Sequence, residues 1–246
     1  MLSSSKCAQT QSLDNYLHYY RTLSVKNELR RARESDPLIS KKYIENFDYV
    51  WNWKVSIEEA GNSILDDKHF SEAFWRLSKI LPKWQTYRNA ENSMPYQTLK
   101  ESLQNIIETY NEIRAYSLLE FRDIPEKMLR FIWHELGRVK EFEGRTNDNG
   151  YYYAIAACKP LLLIWGQTPA FDSKVRENLP GDYGIKKYDF RFSYKRWYEA
   201  MTMMSDDLQR RSECIATMEN ISHNRYGANK PVPYGRYLDI YYWKGK

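Results

Sequence analysis

Cysteine is scarce in this chain, and its placement excludes more than its number. Cys7, Cys158 and Cys214 are the three present. An odd count with no C-x-x-C or Cys/His spacing argues against a disulfide framework and suits a reducing, cytoplasmic setting. The four histidines, His18, His69, His134 and His223, are dispersed. Neither a structural zinc nor an iron–sulfur centre is expected, and no cofactor is. Ten glycines and nine prolines in 246 residues are too few for a turn-rich β-sandwich or a glycine-rich nucleotide-binding sheet. Internal repeats and low-complexity tracts are absent. The opening MLSSSKCAQTQS lacks an apolar core, so residues 1–12 read as a flexible polar tail and not as a signal peptide. One long apolar run exists, Tyr151–Phe171. Lys159 and Pro160 split it near the middle and three tyrosines crowd one end, which argues for a buried helix pair and against a membrane span.

What remains is an ordinary globular composition rich in aromatics. Hydrophobic residues make up 42% and charged residues 28% of the chain, with 21 Tyr and 8 Trp. That is enough apolar material for a folded core. A net charge of +5 permits an anionic partner, and an ordinary basic surface fits it equally well.

Helical periodicity dominates. The spacing predicts helices over Leu13–Arg33 and Tyr43–Trp53, and a strongly amphipathic one over Phe70–Trp84 with Phe70, Phe74, Leu77, Ile80 and Leu81 inward. A polar linker at 87–93 precedes a long pattern from Thr98 to Leu119. Another helix opens at Ile124-Pro125-Glu126 and carries Met128, Leu129, Ile132, Trp133 and Leu136. Gly144–Gly150 is a loop. Tyr194–Ile221 reads as one long helix, and Gly235–Trp243, after a loop from Asn224 to Tyr234, as a short terminal helix or strand. The expected class is mostly α, a helical bundle. Residues 13–246 form a single mostly helical domain, with possible lobes at 13–90 and 95–246.

Two stretches carry chemistry. Lys159 is the lone charge between Tyr151 and Phe171, and an isolated ammonium in such a run must pair, reach water or lose its proton. The last condition also makes a lysine nucleophilic. Asp172 follows a Thr-Pro turn signal, so a helix and a short loop bring the two together. Each has a plainer reading: Lys159 snorkelling from a buried helix, and Asp172 as the N-cap of D-S-K-V-R-E. The second stretch sets Lys174, Arg176, Lys186, Lys187, Arg191, Lys195 and Arg196 among Tyr183, Tyr188, Phe190, Phe192 and Tyr194. Basic residues with interleaved aromatics suit a nucleic-acid backbone and its bases, and they equally suit a solvated face.

The segment Thr168–Arg176, with Asp172 ahead of Ser173 and Val175 at the start of a helix, resembles the aspartate motif of helix-hairpin-helix DNA glycosylases. It is nearest to the P-x-x-D-S-x-V form of the divergent bacterial 8-oxoguanine glycosylase-like branch. Lys159, standing before Leu161-Leu162-Leu163-Ile164-Trp165, is similar to the lysine nucleophile of bifunctional members. Arg236, Leu238, Asp239 and Trp243 echo that branch's closing R-x-L-D-x-x-x-W segment. The sequence departs from the family in having no glycine-rich hairpin before Lys159 and a shorter lysine-to-aspartate interval. The resemblance implies two helical lobes around a central cleft and Lys159 and Asp172 as catalytic residues. It implies DNA as partner, no membrane, and excision of an oxidised or modified base, with lyase activity if the lysine attacks. Trp165, Gln167 and Phe171 are the nearest candidates for a base pocket. A nucleic-acid-binding protein without chemistry, or a helical interaction or phage-defence protein, would use the same residues otherwise.

Overall fold

The structure, a computed structural model, describes residues 41–84, 94–138, 151–186, 192–211 and 233–244, with positions 86, 213, 215, 216 and 219. The expected tail, the helix at 13–33, the linker at 87–93 and the loop at 144–150 lie outside the described residues, as do Lys187 and Arg191. Helix accounts for 77% of the described residues and no strand occurs among them, so the class is mostly α. No helix among them is long and apolar enough to cross a membrane.

Helix α1 spans Lys41–Glu59. It outruns the expected end at Trp53, because nothing breaks it until Gly61, whose φ of 79° suits glycine and closes the helix through its N–H to the Glu58 carbonyl. Helix α2, Asp67–Lys83, buries Phe70, Ala73, Leu77, Ile80 and Leu81, an i, i+3, i+4 stripe, with Pro82 in its last turn. The single pattern expected from Thr98 to Leu119 is divided into α3 (Met94–Asn105), α4 (Ile107–Ile113) and a 3-10 helix, Leu118–Asp123. Ser117 starts that last element: the Glu120 carboxylate accepts both its N–H and its hydroxyl at 2.9 Å, a Ser-x-x-Glu cap. Helix α5 is Glu126–Gly137 and buries Leu129, Ile132, Trp133 and Leu136.

Helix α6, Tyr151–Ile164, is one helix with Pro160 inside it, and not the expected pair. The proline forfeits one ladder bond, to the Ala156 carbonyl, and the surrounding packing carries that loss. Ala154, Ala156, Ala157, Cys158 and Leu161 to Ile164 are all buried, and α6 packs on α1, α2 and α5. It is the central helix. A short α7 (Ser173–Asn178), a 3-10 helix (Gly181–Tyr183), α8 (Tyr194–Gln209, which stops well short of the expected end at Ile221) and α9 (Tyr234–Lys244) complete the described elements. The terminal segment is thus a helix, and it packs on α7.

Candidate active site

The end of α6, α7 and the start of α9 meet in a polar knot inside the core. Lys159 is 7% exposed, and its Nζ donates to the backbone carbonyl of Trp84 just past α2. Asp172 is the N-cap of α7, with Oδ1 accepting the N–H groups of Lys174 and Val175 at 3.0 Å each. On α9, Asp239 pairs with Arg236 at 2.8 Å through Oδ2, while its Oδ1 accepts the Ala170 N–H at 2.9 Å. Burial pushes the Asp239 carboxyl up. Arg236 opposes that, the like charge of Asp172 adds to it, and the Ala170 N–H and the Lys159 ammonium oppose it again. Lys159, Asp172, Arg236 and Asp239 therefore share one electrostatic environment.

Backbone contacts hold this knot shut. The Arg236 N–H donates to the Gly166 carbonyl at 3.2 Å, and Asn178 Nδ2 donates to the Tyr242 carbonyl at 2.8 Å. Gly235 lies so close that a Cβ there would sit 2.2 Å from the backbone of Gln167 and Thr168. Only glycine allows the two chain segments this approach.

A pocket of about 490 Å³ opens between α1 and the residues that follow α6. Trp51, Lys54 and Glu58 of α1, Arg114 after α4, and Trp165 and Gln167 after α6 line it. Trp165 and Gln167 thus face a cavity together, although both are also tied down. Trp165 Nε1 donates to the carbonyls of Ile113 and Tyr116 at 3.1 Å each, and Gln167 Oε1 accepts the Leu118 N–H at 2.9 Å. Phe171 does not join them. It is fully buried beside Phe192, ring centroids 5.5 Å apart, with a left-handed φ of 48° that a bulky residue adopts only under constraint. Lys159 and Asp172 do not line the pocket either.

The basic residues separate. Lys174, Lys186, Lys195 and Arg196 are exposed; Lys174 faces Glu177 at 3.8 Å, and Lys195 and Arg196 face Glu199 at 3.9 Å. Arg176 is interior at 1% exposure, with its Nε donating to the Asp172 carbonyl at 3.3 Å and its guanidinium over Phe192. It is a core arginine and no part of a basic surface.

The chain matches no family model, no curated protein and no solved structure. Among the described residues no group of three His, Cys, Asp or Glu side chains is placed to hold a metal ion.

Sequence periodicity passed over an ionic group on α1. Lys54 is 4% exposed; its Nζ bonds to Glu58 Oε2 and lies 4.5 Å above the Trp51 ring. Glu58 Oε1 is 3.2 Å from the Tyr110 hydroxyl and 3.7 Å from Arg114 Nη1. Tyr110 also donates to the Ile164 carbonyl at 2.9 Å. The i, i+4 spacing of Lys54 and Glu58 was a visible signal, but it falls beyond the Trp53 end that the apolar pattern alone suggests.

Proposed function

We propose that this chain is a DNA glycosylase that excises an oxidised or otherwise modified base, within a two-lobed, glycosylase-like arrangement of its helices. The observation that carries the reading is the carboxylate of Asp172, fixed at the start of α7 by two N–H bonds in a segment that Asp239 of α9 ties down through the Ala170 N–H. Cleaving an N-glycosidic bond builds positive charge on the sugar, which a fixed carboxylate stabilises. Asp172 suits that role because both of its N–H bonds end on Oδ1, which leaves Oδ2 for the sugar.

If Lys159 attacks, its Nζ bonds to C1′ as the C1′–N bond breaks. The base then leaves with the bonding pair and takes up a proton, and the amine loses one. Ring opening gives a Schiff base, and loss of the C2′ proton expels the 3′ phosphate. In the free protein the Trp84 carbonyl holds the amine, so this route requires the end of α2 to give way. The exposed Lys174, Lys186, Lys195 and Arg196 supply a surface for phosphates.

Borohydride trapping on duplex DNA carrying an abasic site or 8-oxoguanine tests this, wild type beside Lys159→Gln, with base release measured for Asp172→Asn. An adduct lost in Lys159→Gln establishes a bifunctional enzyme. Base release that depends on Asp172 without an adduct establishes a monofunctional one. Neither, with no salt-sensitive DNA binding, removes the nucleic-acid reading and leaves a helical interaction protein.

A further inference from the structure

The pocket beside α1 holds an amine of its own, and nothing in the base-excision reading uses it. Lys54 is almost fully buried yet lines the cavity. Its ammonium is flanked by the Trp51 face on one side and by Glu58 on the other. Burial acts first on this group and lowers its pKa from the ordinary lysine value; Glu58 opposes that and Arg114 adds to it. A structural ion pair needs none of the cavity next to it.

Glu58 is also connected as a proton acceptor. The Tyr110 oxygen carries a single proton, and two acceptors lie within reach of it, the Ile164 carbonyl at 2.9 Å and Glu58 Oε1 at 3.2 Å. The hydroxyl donating toward Glu58 Oε1 fixes that carboxylate from behind and leaves its Oε2 against the Lys54 amine. A proton leaving Lys54 for Glu58 therefore finds an acceptor already placed.

The lining also states what enters. Lys54 and Arg114 supply two cations, and Glu58, Glu59 and Glu219 supply three carboxylates, a balance that disfavours an anion. Trp51, Trp165 and Tyr234 add aromatic surface that suits a planar ring.

We propose that Lys54 is a Schiff-base-forming amine and that the pocket takes an uncharged, planar aldehyde. The free Nζ adds to the carbonyl carbon, and the C=O π pair moves to oxygen. Glu58 carries two protons in turn from nitrogen to that oxygen: the first makes the carbinolamine hydroxyl, and the second lets it leave as water while the nitrogen lone pair closes the C=N bond, so amine and aldehyde give imine and water with no change of oxidation state.

The test is competitive reductive labelling of the intact chain with limiting pyridoxal and cyanoborohydride at pH 7, mapped by peptide mass spectrometry. Lys54 is expected to label roughly tenfold faster than the exposed Lys79, Lys100 and Lys195, and Glu58→Gln to slow it roughly tenfold with the helical circular dichroism unchanged. A structural lysine at the same burial would label more slowly than the exposed ones. Labelling spread evenly over the surface, or taken by Lys159 ahead of Lys54, overturns the assignment. The mapping on the wild-type chain needs no variant to fold. Its result is also separate from base release, so either proposal can fail without the other.

Discussion

Among the described residues two lysines are buried beside carboxylates, and the fold treats them in opposite ways. Lys159 sits on the central helix, bonds to a backbone carbonyl and lies in a knot of groups that Gly235, Arg236 and Asp239 seal. Lys54 sits on α1, bonds to a carboxylate and faces a cavity. Burial is nearly equal, 7% and 4%. Burial alone therefore does not mark a reactive amine; what lies on its open side does. In the first region the charges join α6, α7 and α9, and in the second they border space that a ligand could fill.

Breaking the closed region should cost the most. Asp239→Ala leaves the Arg236 guanidinium buried without its carboxylate and the Ala170 N–H without its acceptor. Losing one partner of a buried pair typically costs about 3–5 kcal/mol. Chemical denaturation should show a drop of that order, with the midpoint shifted and the slope kept. A loss below about 1 kcal/mol would mean that water reaches the knot, and that it is no seal.

The open region should respond less. Tyr110→Phe removes one hydroxyl and leaves the Ile164 carbonyl unsatisfied in the core, a cost of roughly 1–3 kcal/mol. Its sharper readout is chemical, because the Lys54 labelling rate should fall along with the relay through Glu58. Stability lost with labelling unchanged would reduce Tyr110 to a packing residue. Asp172→Ala is smaller again, about 1 kcal/mol for a lost N-cap. Asp172→Asn keeps most of the cap, so a large loss of base release in that variant separates chemistry from capping.

How much of this was legible depends on what each element needed from its neighbours. Helices α2 and α5 were readable because a one-sided apolar stripe at 3.6-residue spacing suffices to specify them. The division of 98–119 was less visible: the Ser117–Glu120 cap was there to be read, but the apolar pattern runs through it. The unity of α6 was hidden for another reason. Pro160 and Lys159 look like breakers, and only the tertiary partners, the Trp84 carbonyl among them, make them tolerable. The two segments resembling a glycosylase lie some sixty positions apart, and no spacing rule brings Asp239 to Ala170. Trp165, Gln167 and Phe171 are named together because aromatics stack on bases and an amide can read a base edge. The left-handed φ of Phe171 and its contact with Phe192 are set by the fold and carry no local sequence signal.

An exposed ion pair supplies the reference against which both buried regions are judged. Arg122 on the 3-10 helix grips Asp206 of α8 through two bonds of 2.7 Å, Nε to Oδ1 and Nη2 to Oδ2. That bidentate contact lowers the Asp206 pKa, first through the hydrogen bonds; slight burial opposes it, and the Arg122 and Arg210 charges add to it. A carboxyl held below its unfolded value, about 3.9, stabilises the fold fully above that value and ceases to do so as the pH falls through the folded pKa. Wild type should therefore exceed Asp206→Asn by a constant small margin from pH 7 to about 5, and the margin should close below about pH 4. Added salt should shrink it as well, because the arginine stands in solvent. The Arg236–Asp239 pair should be nearly indifferent to the same salt. If salt weakened both pairs alike, water would have access to the knot around Asp239, and the contrast between a sealed lysine and an accessible one would have to be withdrawn.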